Sequence, residues 1–259
     1  MRIARIAHAQ GMSFVTVDGE GDGATVSEID GHPFGQITLT GQRWALADVR
    51  LMSPLLPSKI VCVGRNYAAH AAEQQAEVPS EPLLFLKPST TVIGPGDAIR
   101  IPPQSTRVDH EAELAIVIGP PGARRVTSPA EAEAAIFGYT CANDVTARDL
   151  QERDNQWTRA KGFDSFCPIG PWIETELDVS DIEVRCEVND SVRQLGRTKD
   201  MVFSPATIVS YVSHIMTLLP GDVILTGTPE GIEPLEPGDT VSVSVEGIGT
   251  LTNSVVSLV

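Results

Sequence analysis

The sequence predicts a β-rich α+β protein, with a small N-terminal β domain over residues 1–54 and a larger domain over residues 55–259. Three observations carry that prediction. β-Prone runs outnumber helical ones and do not alternate with them regularly, which argues against a doubly wound sheet. The first fifty residues interleave short β-prone runs with glycine-rich turn formers. The stretch Met52-Ser53-Pro54-Leu55-Leu56-Pro57-Ser58 carries two prolines, which resist continuing either kind of element, and it marks the boundary.

In chain order, Ser13–Val17 and Gln36–Thr40 read as strands on either side of the turn run Asp18-Gly19-Glu20-Gly21-Asp22-Gly23. Lys59–Val63 opens the larger domain as a strand and leads through a polar turn into an Ala-rich helical segment. Glu113–Ile118 is the next strand. Ser128-Pro129-Ala130-Glu131 is a capping box with proline at the first helical position, and the helix it opens is expected to end near Gly138. Asn143 or Asp144 caps a further helix. Glu183–Val188 is a strand that turns at Asn189-Asp190. Ser204-Pro205 starts a helix whose Ile208, Val212, Ile215 and Leu219 share a face until Pro220-Gly221 stops it. Val223–Thr226 and Thr240–Val245 are the last strands. His8 and His32 have no acidic or cysteine neighbour at ligand spacing and read as structural or surface residues.

Composition narrows the function classes. With 259 residues, 42% of them hydrophobic, the chain can bury a full core. Its formal net charge of -15 leaves no excess of Lys or Arg to replace phosphate counterions, which argues against a nucleic-acid partner. The sequence has no uncharged apolar run of about 18 residues, so no membrane-spanning segment is expected. Cys62, Cys141, Cys167 and Cys186 lie far apart without a CxxC pair, and the opening residues lack the apolar run of a signal peptide. Reduced thiols and a cytoplasmic location are expected. An acidic protein that binds an acidic small molecule must reverse its field locally, which gives weight to a metal and to a few placed cations.

Several segments can carry chemistry. The strand period of two puts Glu111 and Glu113 on one face, where a divalent ion removes their mutual repulsion. On a helix begun at Asn143 or Asp144, Asp144, Arg148 and Gln151 fall at i, i+4 and i+7 on one stripe. That stripe offers a third metal carboxylate, a guanidinium for a negative oxygen and an amide donor. An all-carboxylate set selects the hard ions Mg²⁺, Mn²⁺ or Ca²⁺ over zinc. His70 and Glu73, at i and i+3, form a His-carboxylate proton-transfer pair, and the following Gln74–Ser80 has the make-up of a lid. Lys161 can neutralise an enolate, and Thr228 in Thr226-Gly227-Thr228-Pro229 can offer a hydroxyl to a carboxylate. Taken singly, each has a plainer reading: a solvated strand end, a surface helix, a chance pair, a surface lysine, a structural turn.

Together and in this order, the segments resemble the fumarylacetoacetate hydrolase family. The resemblance rests on Cys62-Val63-Gly64-Arg65-Asn66-Tyr67 with His70 and Glu73, Lys87-Pro88-Ser89 with Gly94-Pro95-Gly96-Asp97, Asp109-His110-Glu111-Ala112-Glu113, Asn143 through Gln151, Ala160-Lys161, and Leu225 through Pro229. It spans roughly residues 58 to 257. It implies a mixed β-roll catalytic domain, a homodimer, and Mg²⁺ or Mn²⁺ as cofactor. By residue, it implies Glu111, Glu113 and Asp144 as metal ligands, His70 and Glu73 as the lid dyad, and Arg148, Gln151, Lys161 and Thr228 around a 2-oxo acid. Val63 occupies the position where the larger eukaryotic members carry an additional carboxylate, so the chain is similar to the shorter branch. That branch implies hydrolysis of an acylpyruvate, isomerisation of 2-hydroxyhepta-2,4-diene-1,7-dioate in aromatic catabolism, or oxaloacetate decarboxylation, each through a metal-stabilised enolate. A non-catalytic binder of metal and 2-oxo acid is the rival of another class, and the intact His70/Glu73 pair argues against it.

Overall fold

The computed structural model describes residues 1–258. Its N-terminal part is a meander of five strands, β1 (Arg2–His8), β2 (Gly11–Asp18), β3 (Thr25–Ile29), β4 (Leu39–Ala45) and β5 (Arg50–Met52). After Ser58 the chain runs through β6 (Ile60–Gly64), α1 (Ala68–Glu73), β7 (Leu83–Lys87), β8 (Val92–Ile93), β9 (Ala98–Ile101), β10 (Val108–Asp109) and β11 (Ala112–Ile118). Then follow α2 (Pro129–Ala134), β12 (Ile136–Asn143), β13 (Thr146–Ala147), α3 (Arg148–Arg153), α4 (Thr158–Lys161) and β14 (Cys167–Glu174). The last elements are β15 (Glu183–Val188), β16 (Ser191–Arg197), α5 (Pro205–Ile215), β17 (Val223–Leu225), β18 (Thr240–Val245) and β19 (Gly249–Ser257). No helix among the described residues is long and apolar enough to cross a membrane.

The strands build one large mixed sheet, ordered β4-β3-β2-β1-β14-β12-β11-β17-β6-β7, and a five-stranded sheet ordered β16-β15-β18-β19-β9. The large sheet is covered on both faces where it matters. Every residue of β11 is buried: on one face Leu114 packs with residues of the five-stranded sheet and Ile116 and Ile118 with α5 and α2, while on the other Ala115 and Val117 pack with Leu55, Ile60, Ile169 and Ile173. The five-stranded sheet has only one covered face, and β18 alternates accordingly: Val241, Val243 and Val245 are buried, and the residues between them are not. At the other end, β1 pairs with β14 at Arg2↔Glu174, and Ala4, Ile6, Val15 and Val26 pack with Trp44 and Trp172. The Met52–Ser58 stretch is packed as well: Ser53 and Leu55 are buried, and a side chain at Gly94 would collide with the Ser53 backbone.

The strand-rich α+β class stands, and so do most of the expected strands, including the Asn189-Asp190 turn, where both residues take positive φ. Three helix limits differ. The helix expected to begin at Asn143 or Asp144 begins at Arg148, because Thr146 and Ala147 pair with Asp109 and Val108 as a short strand. The helix opened by Ser128 ends at Ala134, and Ile136 already starts β12. The helix from Ser204 ends at Ile215: Met216 is extended and donates its N–H to the Val212 carbonyl, so the expected shared face breaks, with Ile215 and Leu219 exposed. The Gln36–Thr40 strand is displaced to Leu39–Ala45.

Candidate metal and substrate site

Three carboxylates converge on the floor of a narrow cleft. Glu111 precedes β11 and Glu113 lies within it, so the strand alternation does carry both to one side. Asp144 arrives from the turn after β12, the neighbouring strand, where its N–H donates to the Glu111 carbonyl and the Asn143 side chain accepts from Glu111 N–H at 2.9 Å. All three are buried, and oxygen atoms of the three lie within 4.8 Å of one another. The juxtaposition comes from two adjacent strands and a turn, not from a helix stripe.

Buried cations surround this floor. Lys161 Nζ bridges Glu111 Oε2 at 2.8 Å and Asp144 Oδ2 at 2.6 Å, with the Phe85 ring beneath it. Arg148 Nη2 donates to Glu111 Oε1 at 2.5 Å, Nε to Asp109 Oδ2 at 2.9 Å and Nη1 to Gln151 Oε1 at 2.5 Å. Lys87 Nζ donates to Asp144 Oδ1 at 2.6 Å and to the Val145 carbonyl at 3.1 Å. Burial alone would raise Glu111, but Lys161 and then Arg148 outweigh it and hold that carboxyl well below the usual range. Glu113 goes the other way. Among the described residues it has no cation partner, only the Gly227 N–H at 2.5 Å. Burial first, then the charges of Asp144 and Glu111, push it well above the carboxylate range.

That imbalance is what a divalent ion would cure. The donors are all oxygen, three carboxylates face one point, and one of them lacks a counter-charge; the set fits a hard divalent cation.

His70 and Glu73 stand on α1 above the floor. Glu73 Oε2 accepts from His70 Nδ1 at 3.0 Å, while its Oε1 accepts from Gly231 N–H at 3.0 Å. The proton therefore sits on Nδ1, and Nε2 accepts from Gln74 Nε2 at 3.1 Å. Thr228 is buried at the rim; its hydroxyl donates to the Ala112 carbonyl and accepts from Gln194 Nε2, each at 2.8 Å. Gln194 is itself saturated, since it also donates to Pro229 O and accepts from Ala112 N–H and His110 Nδ1.

All nine residues singled out in the sequence lie in or beside this cleft and its outer extension. Four participants were missed as site residues. Lys87 had one signal, a charge ending an apolar strand. Asp109 and Gln194 had none, because Arg148 lies 39 positions from Asp109 and the partners of Gln194 lie 34 to 84 positions away. Arg65, Lys87 and Asp109 stand in the motifs that carry the family resemblance, without a role of their own there.

The fumarylacetoacetate (FAA) hydrolase C-terminal family matches residues 59–256, and the Rv2993c-like N-terminal family matches residues 1–54. Protein Rv2993c of Mycobacterium tuberculosis is 55% identical over 262 residues, covering 99% of this chain and 98% of that protein. A mitochondrial oxaloacetate tautomerase of Homo sapiens is 43% identical over 244 residues, covering 86% of this chain and 77% of that protein. Among solved structures, a 5-carboxymethyl-2-hydroxymuconate delta-isomerase from Mycobacterium smegmatis is 54% identical, with a TM-score of 0.93 over 99% of this chain and 100% of the other. A 2-hydroxyhepta-2,4-diene-1,7-dioate isomerase from Mycobacterium marinum is 51% identical, with a TM-score of 0.93 over 100% and 99%. A fumarylpyruvate hydrolase from Pseudomonas aeruginosa, solved with Mn²⁺ and pyruvate, is 32% identical, with a TM-score of 0.74 over 80% and 92%.

Proposed function

Because this chain belongs to the fumarylacetoacetate hydrolase family and is one of its hydrolases or isomerases, we propose that it moves a proton at C3 of a small 2-oxo carboxylic acid, with Mg²⁺ or Mn²⁺ held by Glu111, Glu113 and Asp144. The observation that carries the proposal is the uncompensated carboxylate Glu113 beside two compensated ones, beneath an oriented histidine. A divalent ion bound there would draw electron density from the 2-oxo group and the adjacent carboxylate.

The protein's own groups do the rest. Glu73 holds His70 in the tautomer whose Nε2 lone pair faces the cleft. Withdrawal of Gln74, at the start of the proposed lid Gln74–Ser80, frees that lone pair. In isomerisation, Nε2 takes a proton from one carbon and returns it to another. In hydrolysis of an acylpyruvate, it takes a proton from water as the oxygen adds to the remote carbonyl. The C–C bond then breaks, and its electron pair stays on the pyruvate part as an enolate that is protonated at C3. Lys161 and Arg148 offset the negative charge in both cases. The human relative's name favours a second reading with oxaloacetate as substrate, in which the same C3 proton moves between keto and enol forms or CO₂ leaves.

The test is a parallel assay with Mn²⁺, with and without EDTA, on acylpyruvates, 2-hydroxyhepta-2,4-diene-1,7-dioate and oxaloacetate, with C3–H exchange in D₂O followed by NMR. Metal-dependent turnover or exchange of one of them is expected; silence on all three with metal bound overturns the proposal. Glu111→Ala should lose ion and activity together, while His70→Ala should keep the ion and lose turnover. The homodimer is part of the same proposal, and light scattering of the purified protein tests it.

A further inference from the structure

The cleft does not end at the carboxylate floor. It continues into an open outer chamber of about 350 Å³, bordered by Arg65, Arg107, Arg148, Glu73 and Glu152. In a chain of net charge -15, three guanidiniums around one chamber are a local reversal of field. Two of the three are already engaged. Arg107 donates to both oxygens of Asp109, and Arg148 divides itself between Asp109, Glu111 and Gln151. Glu73 is likewise committed to His70 and Gly231.

Arg65 is different. Among the described residues it faces no carboxylate; its single polar contact is a long one, Nε to Gln74 Oε1 at 3.5 Å, and its guanidinium lies 5.9 Å from the Trp157 ring centroid. With Gln74, Gln151 and Trp157 it lines both the inner cleft and the outer chamber. The backbone puts it there under constraint. Arg65 has a φ of 58°, in the left-handed region that residues other than glycine rarely occupy. Its neighbour Gly64 has no room for a side chain, because a Cβ would meet the Trp157 ring at 2.8 Å. Trp157 is thereby pressed against the strand end and forms the wall along which the guanidinium lies. An arginine held in a sparsely populated conformation, half-buried, with its planar donors unspent, is built to receive a planar anion.

We infer that Arg65 is a specificity residue that binds a second, distal carboxylate, so that the substrate is a dicarboxylic 2-oxo acid whose far end reaches the outer chamber. This rests on the proposed function for the end bearing the 2-oxo group, and it selects among the substrates considered there: a simple acylpyruvate would leave Arg65 unpaired.

The test uses Mn²⁺-loaded protein and calorimetric titration with two probes that undergo no net reaction, pyruvate and 2-oxoadipate, which differ by a two-methylene arm ending in a distal carboxylate. In the wild type, 2-oxoadipate should bind at least tenfold more tightly than pyruvate. In Arg65→Gln that ratio should fall to near one, and Arg65→Lys, which keeps the charge without the fork, should fall between. The ratio cancels any general loss of fold or metal. A preference retained in Arg65→Gln, or no preference in the wild type although pyruvate binds, overturns the inference and leaves the proposed function standing. Binding of neither probe overturns both.

Discussion

At the scale of single residues, the site is a contest over buried charge. Glu111 and Asp144 each have two cationic contacts, and Lys161 serves both of them. Lys87 is the residue whose importance is least visible from outside, since it is fully enclosed and holds one oxygen of Asp144 while Lys161 holds the other. Removing one member of a buried ion pair strands the other, typically at about 3 to 5 kcal/mol. Lys87→Met is therefore expected to lower the unfolding free energy by about 3 kcal/mol and to weaken divalent-ion binding at least tenfold, because Asp144 loses the contact that orients it. Urea unfolding and calorimetric titration with Mn²⁺ measure the two effects. A variant with wild-type midpoint and affinity would show that Lys87 is a spectator.

At the scale of elements, short helices take their precision from the loops that brace them. α1 is six residues long, too short to be rigid alone, and its Glu73 is pinned from across the cleft by Gly231 N–H. Gly231 has a φ of 96°, and an added Cβ would lie 2.2 Å from the Arg193 carbonyl. Gly231→Ala must move that backbone and release Glu73, so turnover should fall about tenfold with metal affinity little changed; steady-state kinetics beside an Mn²⁺ titration separate the two. α3 is braced differently. Asp149, in its first turn, accepts from Ser105 Oγ, Thr106 N–H and Thr106 Oγ1 and so ties the helix to the loop before β10. Its partial burial works to raise the carboxyl, but these three hydrogen bonds outweigh that and depress it below the ordinary aspartate value. A depressed folded-state pKa contributes stability that is present above the unfolded value and lost as pH falls through the folded one. The stability gap between wild type and Asp149→Asn should accordingly be present at pH 7 and close in the acid range below the ordinary aspartate pKa. A gap independent of pH would sink that account.

At the scale of the whole molecule, the N-terminal strands continue the large sheet, while the site draws every group from residues after Lys59. A chain lacking residues 1–54 is expected to bind Mn²⁺ within about threefold of the full chain. It should also melt at lower temperature and associate, because the outer edge of β14 and the Trp172 side become exposed. Loss of metal binding in a truncated protein that keeps its circular dichroism would mean that the first strands shape the site. The sequence by itself determined the strand-rich class, the capping of α2 and α5, the Asn189-Asp190 turn, and the residue types of the candidate site. These are local: hydrophobic period, turn chemistry and motif order depend on neighbours a few positions away. Tertiary structure decided what is long-range. It ended the α5 helix at Ile215 and turned Thr146-Ala147 into a strand, because pairing with Val108 and Asp109 outweighed helix continuation. It brought Lys87 within 2.6 Å of Asp144 across 57 positions, and Gln194 to Ala112 across 82. Among the described residues it also left Glu113 without a cation in contact and Arg65 without a carboxylate, since the charge a residue meets is set by which strands lie beside it and not by its neighbours in the chain.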